Sequence, residues 1–128
     1  MLGRPRDTVS LVLTGDERIR ELNRDFLEVD EPTDVLSFPF VDPQDLEAQD
    51  GAVFLGEIYI SVDTARSQAG EAKRPYAREV AHLLVHGLLH LLGFDHRTRA
   101  ERERMTALEE RLLRGLRAEI AALGKSRR

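Results

Sequence analysis

The chain has 128 residues, is 41% hydrophobic and carries a formal net charge of −4, which allows one hydrophobic core and is short for two domains. It has no cysteine, so a disulfide framework and a thiolate metal site are excluded, and any metal must be held by imidazole and carboxylate. The start, Met1-Leu2-Gly3-Arg4-Pro5-Arg6-Asp7, lacks the apolar core of a signal peptide, and the most apolar stretch, residues 81–92, is interrupted by histidines and a glycine. Neither secretion nor membrane spanning is expected, and a cytoplasmic location is.

Thr8 to Leu13 alternates polar with apolar residues (Val9, Leu11, Leu13), the period of a half-buried strand. Thr14-Gly15-Asp16-Glu17 then reads as a capping box opening a helix, with Ile19, Leu22 and Phe26 on one face. Glu31-Pro32 breaks that helix, because the residue before proline is pushed out of the α region. Val35 to Phe40 has strand composition, and Pro39 makes it an edge strand or one that ends early. Residues 41–51 are acidic and turn-rich and read as a surface loop. A third strand, Val53 to Ser61, follows; Asp63 caps a short helix ending near Gly70; and Pro75 precedes a long apolar helix, Tyr76 to Leu92, whose composition marks a buried core element. Thr98-Arg99-Ala100-Glu101 is a second capping box, and Met105, Leu108, Leu112, Leu116 and Ile120 give the last helix an apolar stripe. Strands mixed with helices without strict alternation predict an α+β domain, one small mixed sheet covered by helices. Charge is divided unevenly: residues 97–128 hold ten Lys and Arg against five Glu, whereas residues 1–96 hold nine against eighteen acidic residues. The basic segment is either a solvated helix face or a surface for an anionic partner.

The chemistry lies in the histidines. His86 and His90 are four residues apart on the predicted helix and project from one face, as two ligands of one ion require. His96 would lie roughly 9 Å further along a continuous helix at about 1.5 Å per residue, too far to share an ion. Gly93 stands where a left-handed glycine ends a helix and lets the chain fold His96 back. His82 is about 12 Å of rise from His90, so it is assigned to packing or to hydrogen bonding behind the ligands. Three histidines leave a tetrahedral zinc ion one open position, the arrangement of catalytic sites. Such an ion ionises a bound water near neutral pH and polarises carbonyl or phosphoryl oxygens. A single metal-hydrolase domain over residues 1–124 is therefore expected, with residues 125–128 as a basic tail and the zinc site at the C-terminal end of the central helix.

The spacing of His86, His90, Gly93 and His96 matches the metzincin protease pattern H-E-x-x-H-x-x-G-x-x-H, except that the glutamate acting there as general base is Gly87. Asp34 and Asp95 are the candidate catalytic carboxylates; each is equally well read as an ordinary turn or cap residue.

The run His86-Gly87-Leu88-Leu89-His90-Leu91-Leu92-Gly93-Phe94-Asp95-His96 resembles the signature of the bacterial YbeY family of rRNA-maturation endoribonucleases. Leu22-Asn23 with Asp30-Glu31-Pro32-Thr33-Asp34-Val35-Leu36-Ser37-Phe38 resembles a second block of that family, and Leu55-Gly56-Glu57-Ile58 a third. The resemblance implies a zinc-dependent endoribonuclease, specific for single strands, in 16S rRNA maturation and ribosome quality control, with zinc on His86, His90 and His96. It also implies small-subunit rRNA and ribosomal particles as partners, with small-subunit ribosomal proteins and a ribosome-assembly GTPase beside them, and no membrane. Two departures stand out. Leu27 occupies the place of an arginine proposed to assist catalysis in many members, and the extra strand and helix with which members usually begin are missing, so either the start is truncated or the sheet is one strand smaller. A zinc peptidase with metzincin-like spacing and a non-catalytic, zinc-containing ribosome-binding module are the competing readings.

Overall fold

Three strands form the sheet in the computed structural model, which describes residues 6–95 and 97–115. In chain order the elements are β1 (Thr8–Thr14), α1 (Asp16–Leu27), β2 (Val35–Pro39), a 3-10 turn at Pro43–Ala48, β3 (Phe54–Ser61), α2 (Val62–Ala72), α3 (Tyr76–Leu91) and α4 (Arg99–Gly115). The sheet order is β1-β3-β2, with β1 parallel and β2 antiparallel to β3. The expected α+β architecture, a small mixed sheet with helices against it, is what the chain adopts. Among the described residues, no helix is long and apolar enough to cross a membrane.

The period of two explains how the sheet is covered. Ile58 and Ile60 of β3 point to one face and pack with Ala65 of α2 and Leu83 of α3, whereas Tyr59, Leu36 and Phe38 point to the other and meet Ile19 and Leu22 of α1. The central helix α3 thus lies on one face and α1 on the opposite one. Then α4 packs on the outer side of α3 through Met105 and Leu113 against Val85 and Leu89. Strand β1 is an edge, and its Leu11 and Leu13 are 40% and 45% exposed, the liability an uncovered strand carries. Strand β2 is the other edge and ends at Pro39, as proline's missing N–H requires.

Several local expectations are corrected. Gly15, not Thr14, is the N-cap of α1, because Thr14 is still paired in β1, and Asp63 Oδ2 accepts the Asp16 N–H at 2.9 Å. The cap of α2 is Ser61, which accepts from the Thr64 N–H; Asp63 is spent on α1 instead. Asp16 in turn accepts hydrogen bonds from the hydroxyls of Ser61 and Thr64, so the two helix starts are tied together, with Asp63 of α2 capping α1 and Asp16 of α1 holding the cap residue of α2. Phe26 is exposed rather than on the buried face; its ring meets Phe38 edge to face, and Asn23 is buried instead. Segment 41–51 contains the 3-10 turn, whose Leu46 is buried in the main core. The capping box at Thr98 and Glu101 is present with both reciprocal bonds. Of the stripe expected on α4, Met105 is buried and Leu108 and Leu112 are partly buried; Leu113, outside that stripe, is buried as well, while Leu116, Ile120 and the tail at 125–128 lie outside the described residues.

Candidate metal centre

Helix α3 ends where its glycine permits. Gly93 has φ 97°, its N–H reaches the His90 carbonyl and the Phe94 N–H reaches the Leu89 carbonyl, each at 3.0 Å. This paired closure satisfies two of the carbonyls left over at the helix end and turns the chain away from the helix axis. An ideal Cβ on Gly93 would lie 2.9 Å from Pro43 Cβ, so the 3-10 segment also needs glycine at this point.

One turn apart at this end, the rings of His86 and His90 meet at 73°, and their Nε2 atoms are 3.2 Å apart. Two nitrogens at zinc distances of about 2.0–2.1 Å in tetrahedral geometry stand roughly 3.3 Å apart, so this pair fits a shared ion. Behind it, His86 Nδ1 is 2.7 Å from Glu109 Oε2 of α4. The carboxylate–histidine arrangement is the usual support of a metal-bound imidazole. His82 lies beside it, with Nε2 3.6 Å from the same oxygen and Nδ1 3.7 Å from Glu79 Oε1. Glu79 is 3% exposed and is held by Arg74 at 2.8 Å. Burial opposes ionisation of Glu109, but the rings of His82 and His86 outweigh it and hold the carboxyl at about 2. The same carboxylate, against the opposing effect of burial and with help from Glu79, raises the pKa of His82.

Gly87 faces the sheet. Its ideal Cβ would lie 2.8 Å from Ile58 Cγ2 and 3.0 Å from Ser37 Oγ, whose hydroxyl donates to the Gly87 carbonyl at 3.0 Å. The position that carries the general base in the protease pattern is therefore the contact point of helix and sheet, with no room for a side chain.

The two candidate carboxylates are in different surroundings. Asp34 sits at the start of β2, where Oδ1 accepts from the Val35 N–H at 2.8 Å and Oδ2 from Gln68 Nε2 at 3.3 Å. Asp95 lies beyond the α3 turn, 2.8 Å from Arg97 Nε. It lines a cleft of about 220 Å³ with Leu92, Gly93, Phe94, Glu101 and Arg104. His96, the expected third ligand, lies outside the described residues, and among those described no three side chains form a metal-holding group. Leu27, in place of the family's arginine, ends α1 and is 55% exposed, while Arg24 pairs with Asp25.

Sequence reasoning missed Glu109. Its signal was present: the residue stands four positions from both Met105 and Leu113, so a carboxylate interrupts the buried stripe of α4. The pair Leu22-Asn23, which resembles part of the family's second block, also acquires a reason, since Asn23 Nδ2 donates to the Glu31 carbonyl at 2.8 Å and Arg20 pairs with Asp30. These contacts tie α1 to the segment that leads into β2.

A family model described as Endoribonuclease YbeY matches residues 3–117. A protein of Heliobacterium modesticaldum with that name is 49% identical over 112 residues, covering 83% of this chain and 68% of its own length. One of Moorella thermoacetica is 50% identical over 112 residues, covering 84% of this chain and 72% of its own. One of Acetivibrio thermocellus is 40% identical over 120 residues, covering 87% and 74%. Among solved structures, the solution structure of TM1509 from Thermotoga maritima matches with a TM-score of 0.55 at 28% identity, over 87% of this chain and 71% of that one.

Proposed function

The chain belongs to the YbeY endoribonuclease family, and from that premise we propose that it is a zinc-dependent endoribonuclease that cuts single-stranded rRNA during small-subunit maturation and quality control. The observation that carries the reading is the convergence of His86 and His90, Nε2 to Nε2 at 3.2 Å, on a helix that Gly93 closes three residues before His96 in sequence. These three histidines would hold the ion. When bound, zinc supplies a water of lowered pKa and a Lewis acid for a phosphoryl oxygen.

The chain's own groups have separate roles. Glu109 Oε2, 2.7 Å from His86 Nδ1, accepts a hydrogen bond from that nitrogen in the tautomer that leaves Nε2 to face the site. The cleft beyond the end of α3 receives the substrate backbone, with Arg104 as the cation for a phosphate and Asp95, next to the third ligand in sequence, as the carboxylate. Asp34, whose two oxygens are engaged with Val35 and Gln68, organises β2 and α2. Small-subunit rRNA and ribosomal particles are the proposed partners. The packing of Gly87 against Ile58 and Ser37 argues against a peptidase, because the general base of that mechanism has no place in this helix. Incubation with a single-stranded RNA and zinc is expected to yield cuts that His86→Ala or His90→Ala abolishes. Undiminished cleavage by either folded, metal-free variant would overturn the proposal.

A further inference from the structure

We propose that Glu109 is a positioning residue: through α4, the fold brings a buried carboxylate to the back of the His86 imidazole and so decides which of its nitrogens faces the metal. The inference rests on the reading of His86 and His90 as ligands.

Packing does not call for this carboxylate. Glu109 is 7% exposed and lies between Met105 and Leu113 on the buried face of α4, against Val85 and Leu89. A leucine there would continue the stripe, whereas burying a carboxylate costs several kcal/mol, of order, unless it is paired. Its partners are the α3 histidines: His86 Nδ1 at 2.7 Å and, farther off at 3.6 Å, His82 Nε2 on the same oxygen. Glu79, His82, His86 and His90 fall on one face of α3 at spacings of three, four and four, and Glu109 lies against the middle of that row.

The chemical consequence follows from the two ring nitrogens. An ionised carboxylate only accepts, so the His86 proton resides on Nδ1 and the Nε2 lone pair is directed toward His90 Nε2. The negative charge also makes the imidazole a stronger donor to a cation. Without Glu109, the proton distributes over both nitrogens and the ring is free to turn. Docking of α4 and readiness of the metal site are then one event, because the same side chain sits in both.

The test uses the full chain and its Glu109→Leu and Glu109→Gln variants. Zinc affinity is read by competition with a chromogenic chelator, and the His86 tautomer by ring ¹⁵N shifts of the metal-free protein. Leucine at 109 is expected to weaken zinc binding on the order of 10–100-fold and to erase the Nδ1–H preference. Glutamine, whose amide oxygen still accepts, is expected to fall between the two and to keep the tautomer. Should the leucine variant fail to fold, the glutamine variant decides by its affinity. Wild-type affinity in the folded variants would overturn the positioning role while leaving the metal site in place. Failure of the wild-type chain to bind zinc, or binding unchanged in His86→Ala, would overturn the metal reading and this role with it.

Discussion

Substituting Gly87 by alanine tests the contact that separates this site from a protease. The added methyl would stand 2.8 Å from Ile58 Cγ2, 3.0 Å from Ser37 Oγ and 3.3 Å from Val35 Cγ2, whereas carbon contacts are most favourable at about 3.5–4.0 Å. Either α3 lifts from the sheet or Ser37 turns away and gives up its bond to the Gly87 carbonyl. Overpacking costs about 1–3 kcal/mol and the lost hydrogen bond about 1 kcal/mol. Alanine's helix propensity returns about 1 kcal/mol. The expected net loss is thus about 1–3 kcal/mol, or roughly 4 °C of Tm per kcal/mol for a chain of this size. Urea denaturation of wild type and Gly87→Ala, followed by circular dichroism in the presence of chelator, measures it. Adding Ser37→Ala relieves one of the three contacts, so the double mutant should be non-additive by at least about 0.5 kcal/mol. A Gly87→Ala protein as stable as wild type would refute the packing argument. It would also reopen the question of why no carboxylate stands there, since Gly87→Glu is expected to prevent folding rather than to create a peptidase.

Gly93→Ala forces a left-handed backbone on a residue with a Cβ, at about 1–2 kcal/mol, and presses that Cβ against Pro43. Thermal melts should show the loss, and chelator competition should show weakened zinc binding because the turn leading to His96 is displaced. In metal-free protein, Glu109 is held at about 2, below its usual 4.5, so its contribution to stability is complete above about pH 4.5 and disappears as the pH falls toward 2. The difference in urea stability between wild type and Glu109→Gln should shrink over that interval; a constant difference would refute the ionic contribution. Leu27→Arg, at the exposed end of α1, should change stability by less than about 0.5 kcal/mol. RNA cleavage assays should find it more active than wild type if the family's arginine has the role the resemblance implies.

Periodicity and punctuation were enough to recover most elements, because they are local. Alternating Val9, Leu11 and Leu13 marked β1, Pro39 marked the end of an edge strand, and the Thr98–Glu101 box marked the start of α4. The His86 and His90 pair and the glycine that ends their helix were equally legible, since helical geometry alone places them. Capping was misread where a longer-range partner won. Asp63 is 47 residues from the Asp16 N–H it satisfies, and no local pattern reveals such a bond.

The amino-acid order thus settles how His86 and His90 project from one face of α3 and where that helix ends, for a helix of known pitch and a glycine with positive φ dictate both. It leaves open what stands behind and beneath them. Glu109 reaches His86 from 23 positions away, and Gly87 is required by strands that fold onto it from positions 35–37 and 58. Both depend on how α3 docks between sheet and α4, and docking is set by the shapes of packed surfaces, which a one-dimensional pattern does not contain.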